Sequence, residues 1–117
     1  MLHSISVTAA LLMTGCASIP APTEQIAVSK VAVESANSAG GNEFATVQLK
    51  SAMDKMDAAE QEMTVEDYAL AKQLAEQAQV DAQLASPTAR SAKAQKAASA
   101  LLEENRVLRQ ELNRKAQ

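Results

Sequence analysis

Residues 71–92 read AKQLAEQAQVDAQLASPTARSA, and this stretch decides how the rest of the chain folds. Alanine recurs in it at steps of four and three residues without a break, at Ala71, Ala75, Ala78, Ala82, Ala85, Ala89 and Ala92. In an α-helix this spacing places every one of these methyl groups on one face. Small side chains let two helix axes approach closely, which offsets the little area that each methyl buries. The stretch therefore predicts a long helix whose alanine face packs tightly on a neighbouring helix.

A proline interrupts this stretch, in the dipeptide Ser86-Pro87. Serine followed by proline is typical of a helix start. Inside a continuous helix, proline would remove the hydrogen bond to Gln83 and bend the rod. Because the alanine spacing keeps its phase across Pro87, we predict a kink or a brief break there rather than a reversal of the chain.

Composition favours helix and excludes a thick globular core. The 117 residues include one Phe, one Tyr and no Trp, and much of the apolar fraction is alanine. A buried methyl-sized group contributes only about 0.8 kcal/mol to stability, whereas Ala, Glu, Gln, Lys and Leu are strong helix formers. We therefore predict an all-α protein with room for one small domain.

Two further helices are predicted before the alanine stretch. The first begins with Thr23 as its N-cap and ends at Gly40-Gly41. The second begins near Asn42 or Glu43. Its apolar residues recur at helical spacing: Phe44, Val47, Leu49, Ala52, Met53, Met56, Ala59 and Met63.

The start of the third helix has the clearest capping pattern in the chain. Thr64 is followed three residues later by Asp67, which predicts a threonine N-cap, with Met63 and Tyr68 as its hydrophobic staple. So short a connection makes the second and third helices an antiparallel hairpin. We predict a helical hairpin domain over residues 24–92, with the short first helix beside it, and a long C-terminal helix over residues 93–117.

A second seam follows the alanine stretch, through Ala94, Ala98, Leu101, Asn105, Leu108 and Leu112. Leu101 lies nine residues beyond Ala92, roughly half a turn away on the helix. With Leu101 and Leu108 at d positions of a heptad, Asn105 is at a, where asparagine fixes register and favours two strands. Leu101, Asn105, Leu108 and Leu112 therefore predict a coiled-coil seam for a parallel homodimer or an envelope protein partner. The alternative is a frayed, solvated helix.

Charge divides unevenly along the chain. Residues 24–83 carry four Lys/Arg and eleven Asp/Glu, whereas residues 84–117 carry seven Lys/Arg and three Asp/Glu. Such charges are typical of solvated helix faces, and the alternative is that the basic tail meets an acidic partner. Neither segment has a run of like charge dense enough to predict nucleic-acid binding.

The lone cysteine follows a short apolar segment, in the sequence Leu12-Met13-Thr14-Gly15-Cys16. These five residues resemble the lipobox of bacterial lipoproteins. The resemblance implies a signal peptide over residues 1–15, cleavage before Cys16, and acylation of Cys16 to anchor the chain in a membrane. Residues 16–23 would then form a lipidated tether. Ala17, rather than aspartate, follows the cysteine, which favours the outer membrane with the chain facing the periplasm.

Little in the chain predicts catalysis. Under the lipobox interpretation, the mature chain keeps neither a histidine nor a free thiol, and no metal-ligand set or phosphate-binding loop is present. We therefore expect neither an enzyme nor a cofactor. A groove lined by Met53, Met56 and Met63 could instead hold a peptide or a hydrophobic ligand, although such methionines are more often adaptable core residues.

The residues from Phe44 onward resemble the bacterial family called domain of unknown function 4398. The matching residues are Leu49, Ala52, Lys55, Asp67, Tyr68, Leu74-Ala75-Glu76-Gln77-Ala78, Asp81-Ala82 and Leu84-Ala85. The likeness covers about residues 16–100. It implies an exported, often lipidated helical protein without an established activity. Together, these features predict a structural or adaptor lipoprotein of the cell envelope, with a ligand-binding module as the alternative.

Overall fold

A computed structural model describes residues 18–117, and these residues form four helices and no strand. The helices are α1 (Thr23–Ser38), α2 (Gly41–Phe44), α3 (Thr46–Thr64) and α4 (Tyr68–Lys115). The predicted all-α fold, with a helical hairpin and a long C-terminal helix, is confirmed. At about 1.5 Å per residue, α4 alone is roughly 72 Å long.

Three of these helices form a bundle. Helices α3 and α4 form the hairpin, and α1 lies against both of them. The buried clusters give the directions. Ile26, near the start of α1, packs with Met56 and Ala75, whereas Ala36, near its end, packs with Leu49 and Ala89. Helix α1 therefore runs parallel to α4 and antiparallel to α3.

The core of this bundle is built almost entirely from alanine. Six alanines of α4 are fully buried, namely Ala71, Ala75, Ala78, Ala82, Ala85 and Ala89. They face Ala36 of α1 and Ala52 and Ala59 of α3, which are equally buried. Among residues 18–117, the larger apolar side chains buried in this core are Leu49 and Met56, both from α3. Larger side chains that are half-buried pack against its edge, namely Ile26, Val33, Phe44 and Leu74. The predicted alanine face is thus the face on which the three helices pack.

Two apolar residues of α3 lie outside this core, although their spacing had placed them in the same stripe. Val47 is 78% exposed and Met53 is 48% exposed. The buried residues Leu49, Ala52, Met56 and Ala59 step by three and four, and neither Val47 nor Met53 fits that progression.

Helix α4 is continuous through Pro87. Of the predicted kink or brief break at this position, the brief break is therefore wrong. Pro87 and Gln83 are both exposed, so water can reach the carbonyl that loses its partner. The hydroxyl of Thr88 donates to the carbonyl of Leu84 at 2.7 Å. Ala85 and Ala89 are fully buried on either side of the proline and hold the helix against the bundle.

The turn between α3 and α4 differs from the predicted capping box. Thr64 stays in α3, where its hydroxyl donates to the Gln61 carbonyl at 2.6 Å. Glu66 takes a left-handed conformation, with φ of 63°. Asp67 is the N-cap of α4, and its carboxylate accepts from the Leu70 amide at 3.1 Å. The predicted Thr64 cap, and the Met63–Tyr68 staple that depended on it, are therefore wrong.

The first two helix starts also differ from prediction. Pro22 is the N-cap of α1, so Thr23 is the first helical residue rather than the cap. The predicted second helix is divided at Ala45, which has φ of −142°. The Thr46 hydroxyl donates to the Asn42 carbonyl at 3.2 Å, and so occupies the acceptor that the backbone of a continuous helix would use.

Candidate interaction surface

The C-terminal part of α4 extends beyond the bundle. The last side chain that ties α4 to another helix is Lys96, whose ammonium lies 2.8 Å from the Glu43 carboxylate and 5.3 Å from the centre of the Phe44 ring. From residue 97 to the end of α4 at Lys115, every side chain except that of Glu111 is exposed. This projecting segment, residues 97–115, is roughly 28 Å long.

The predicted seam residues lie on this projecting segment. Leu101 is 60% exposed, Leu108 is 59% exposed and Leu112 is 67% exposed, and Asn105 lies exposed between them. Their spacing places them along one face of α4. No other part of residues 18–117 covers this face, so it is an apolar surface open to solvent. We call these four residues the leucine face.

The charged side chains beside the leucine face fall into two groups. Arg106 pairs with Glu103, and Arg114 pairs with Glu111, each within α4 at 2.6 Å. The hydrogen bond from Arg106 lowers the pKa of the Glu103 carboxyl. Glu104 and Arg109, in contrast, form no ion pair with any residue of the described segment. Both remain available to a partner that binds at this face.

Helix α4 also exposes apolar side chains along the bundle, which were not predicted from the sequence. Val80 is 63% exposed and Leu84 is 55% exposed, while Leu70 is 37% exposed near the start of the helix. A signal for them was present, because counting the heptads of the leucine face backwards reaches each of these positions. The alanine spacing, which dominates this part of the chain, concealed it.

The strongest polar contact between helices joins α3 to α4. The Asp81 carboxylate of α4 accepts hydrogen bonds from Lys55 at 2.6 Å and from the Ser51 hydroxyl at 2.7 Å. These bonds, chiefly the one from Lys55, hold the pKa of Asp81 below its ordinary value of 3.8. Glu76 lines the same surface depression, but the Asp81 carboxylate bonds to Lys55 and Ser51 of α3, so the arrangement is that of a structural tie between helices.

Replacing Asp81 by asparagine is expected to lower the free energy of unfolding by about 1 kcal/mol, because the tie is only partly shielded from water. The native protein keeps Asp81 charged to lower pH than the unfolded chain does. The ion pair therefore contributes fully above about pH 4, and its contribution is lost as the pH falls below that value. Urea unfolding of the parent chain and of Asp81→Asn at pH 7 and pH 3 measures the difference.

The control for this variant is Asp54→Asn, which removes an exposed pair between Asp54 and Lys50 within α3. It should change stability by no more than a few tenths of a kcal/mol. An equal loss in the two variants, or a loss from Asp81→Asn that persists unchanged at pH 3, would contradict the interhelical role of Asp81.

The methionine groove differs from the predicted one in both place and lining. A shallow groove of about 360 Å³ lies between α1 and α3, not within the α3–α4 hairpin. Met53 and Met56 line it and Met63 does not. Met56 is 5% exposed and belongs to the core, while the ion pair between Lys30 and Glu60, at 2.8 Å, lies among the lining residues.

The lipobox residues Leu12, Met13, Thr14, Gly15 and Cys16 lie outside the described residues. Within residues 18–117, no helix is both long enough and apolar enough to cross a bilayer. Over the same residues, His, Cys, Asp and Glu side chains form no group that could hold a metal ion.

The fold and the leucine face define a class of protein: a small all-α protein whose longest helix completes a three-helix bundle and then projects from it. The sequence profile of the family described as Domain of unknown function (DUF4398) matches residues 24–101. The chain belongs to this family. No curated protein and no solved structure matches the chain. The match spans α1 to α3 and α4 as far as Leu101, which leaves most of the leucine face beyond it.

Proposed function

We propose that this protein is an outer-membrane lipoprotein, anchored through lipid on Cys16 and facing the periplasm. In this proposal it acts as a structural or adaptor protein of the cell envelope through helical contacts. The observation that carries the adaptor role is the leucine face, because an apolar surface on a projecting helix is a liability unless a partner covers it. The role requires neither catalysis nor a cofactor.

The position of the tether supports this orientation. Ser18 and Ile19 lie beside the turn between α3 and α4, where they share a surface depression with Glu66, Asp67 and Tyr68. Helix α4 begins at this turn and runs away from it for roughly 72 Å. A lipid on Cys16 would therefore place the turn near the membrane and the projecting segment far from it.

The alternative is a binding module that holds a peptide or hydrophobic ligand in the methionine groove. This alternative has less support, because the groove is shallow and one of its two methionines belongs to the core. The two proposals are distinguished by what changes on binding. Ligand-dependent shifts of the Met53 and Met56 methyl signals favour the groove, and crosslinks from residues 101–117 favour the adaptor.

Replacing Cys16 by serine is expected to move the protein out of the outer-membrane fraction. A serine cannot receive the thioether-linked lipid, and without acyl chains the described residues offer no membrane-spanning helix. Fractionation of cells that express the parent and Cys16→Ser chains, with detection of incorporated labelled palmitate, measures both consequences. The proposed anchor is wrong if the parent chain incorporates no palmitate, or if Cys16→Ser stays in the outer-membrane fraction.

A further inference from the structure

The exposed apolar side chains of α4 share one heptad register over most of the helix. Leu101 and Leu108 are at d and Leu112 is at a. Counting back by sevens places Val80 at d and Leu84 and Leu70 at a. Six of the eight large apolar residues exposed on α4 therefore fall on one seam, and the exceptions are Leu102 and Val107. The apolar seam is longer than the leucine face alone.

This seam lies on the side of α4 that faces away from the bundle. The buried alanines also repeat every 3.5 residues on average, and the two repeats are offset by two positions, or about 200° around the helix. A 3.5-residue repeat requires a left-handed supercoil, which keeps both seams in phase along the helix. A further helix can therefore lie along the outer seam without displacing α1 or α3.

The residues between Leu84 and Leu101 also fit a close helix pairing. The seam positions in this interval are Pro87, Ser91, Ala94 and Ala98, all of them exposed. Small side chains at consecutive seam positions let two backbones approach closely, as the alanines of the bundle do on the other face of α4.

We propose that a second copy of this chain occupies the seam, as a parallel two-stranded coiled coil from Val80 to Leu112. The inference deepens the proposed function, on which it rests, by naming the partner of the leucine face. In a parallel pair in register, Asn105 faces Asn105 of the second copy, an arrangement that favours two strands. Glu104 at g then faces Arg109 at e of the second copy, and neither of these two side chains has an ion-pair partner within residues 18–117.

Charge also sets the membrane-side end of the pairing. Towards the start of α4, Glu76 is at g and Asp81 is at e, so continued parallel pairing would bring two acids together. Lys72 lies 3.8 Å from Glu76, and Lys55 lies 2.6 Å from Asp81, so the cations near these acids belong to the same chain. The seam therefore ends near Val80, and the two bundles stay on opposite outer sides of the paired helices.

The test uses the full chain with Cys16→Ser, which removes its single cysteine. A cysteine introduced elsewhere is then the only thiol. Sedimentation equilibrium should give a dimer at tens of micromolar. Leu108→Glu should weaken the dimer at least about 100-fold, because it buries a charge at the seam. Val107→Glu is the matched control, since it adds the same charge at the neighbouring position on the outer side and should leave the dimer intact. Leu84→Glu should weaken the dimer at least tenfold while the thermal melting of the bundle stays unchanged.

Introduced cysteines test the direction of pairing. Asn105→Cys should oxidise to a covalent dimer, because parallel pairing brings residue 105 of one copy next to residue 105 of the other. Val107→Cys should not form this dimer.

A monomer at 100 micromolar overturns the proposal, as do equal effects of Leu108→Glu and Val107→Glu. If the chain is monomeric yet its leucine face crosslinks to another envelope protein in cells, the adaptor role survives and the second copy is the wrong partner. If the chain dimerises but takes no lipid, the dimer stands and the anchored function fails.

Discussion

Replacing Ala78 by leucine is expected to cost the bundle about 3 kcal/mol, at the upper end of what overpacking a core usually costs. Ala78 is fully buried between Met56 and Ala59 of α3 and Ala75 of its own helix. The closeness of the helices depends on the absence of side-chain volume at this position, so three added carbons must separate α3 from α4. The larger neighbours, Met56 in the cluster and Leu74 at its edge, already fill the space beside Ala78, so they too must shift.

A loss of this size is a large share of the total, because a bundle of about 80 residues has roughly 4–12 kcal/mol of stability. Each kcal/mol corresponds to about 4–8 °C in melting temperature for a domain of this size. Circular dichroism at 222 nm should therefore show the bundle melting at least about 12 °C lower. The matched control is Ala100→Leu, the same substitution at an exposed position of α4 outside the seam, which should leave the bundle transition unchanged. An Ala78→Leu chain that melts with the parent would contradict the close-packed alanine core.

Replacing Gly41 by alanine is expected to cost about 2 kcal/mol, although alanine is the better helix former. Gly41 is buried, and a Cβ atom on it would lie 2.7 Å from the Ala36 carbonyl oxygen and 3.2 Å from Leu49 Cδ2. The first of these neighbours is backbone in the last turn of α1, so the whole end of that helix must move. Chemical denaturation of Gly41→Ala measures the cost.

Gly40 provides a comparison for Gly41→Ala, because the cost of adding a side chain at Gly40 comes from backbone conformation rather than from volume. Its φ is 95°, and an added Cβ would meet only the Phe44 ring, at 3.4 Å. Gly40→Ala should cost about 1 kcal/mol from the left-handed backbone alone, and Gly40→Asn should cost less, because asparagine tolerates that conformation better. Gly41→Asn should recover nothing, since the obstacle there is volume. Equal behaviour of the two glycines towards asparagine would contradict this distinction.

The features that the sequence predicted correctly are those that depend on side-chain spacing. Ala71 to Ala89 lie on one buried face because 3.5-residue spacing and small volume act in the same direction over many turns. The antiparallel order of α3 and α4, and the end of α1 before Gly40-Gly41, follow from equally repeated or strong local signals.

The features that were predicted wrongly depend on competition between neighbouring groups. Thr64 and Asp67 are both residue types that cap helices well. The left-handed conformation of Glu66 separates Thr64 from the start of α4, so Asp67 is the N-cap. Pro87 opposes the helix locally, but buried alanines on both sides outweigh it, so the predicted brief break is wrong. The prediction that the chain does not reverse at Pro87 is confirmed. Val80 and Leu84 were overlooked because a second, weaker repeat shares residues 71–92 with the alanine repeat.

The two repeats together connect the sequence to the proposed role. On α4, the alanine face is buried inside the bundle, where it packs against α1 and α3. The seam on the opposite face has no cover within residues 18–117, and its exposed leucines continue past the end of the bundle. Burial of such a surface stabilises association by roughly 25 cal/mol for each Å² of apolar area, less the cost of ordering the partners. We therefore expect the protein to bind its partner through this uncovered seam of α4.

The most direct test of this account is site-specific photocrosslinking in intact cells. A photoreactive residue at Leu108 should capture a single product at twice the mass of the chain, and the same residue at Val107 should capture far less. Introducing Leu101→Glu should abolish the Leu108 product without changing the amount of protein. Equal capture from positions 107 and 108, or capture at 108 that survives Leu101→Glu, would contradict a docking role for the leucine face.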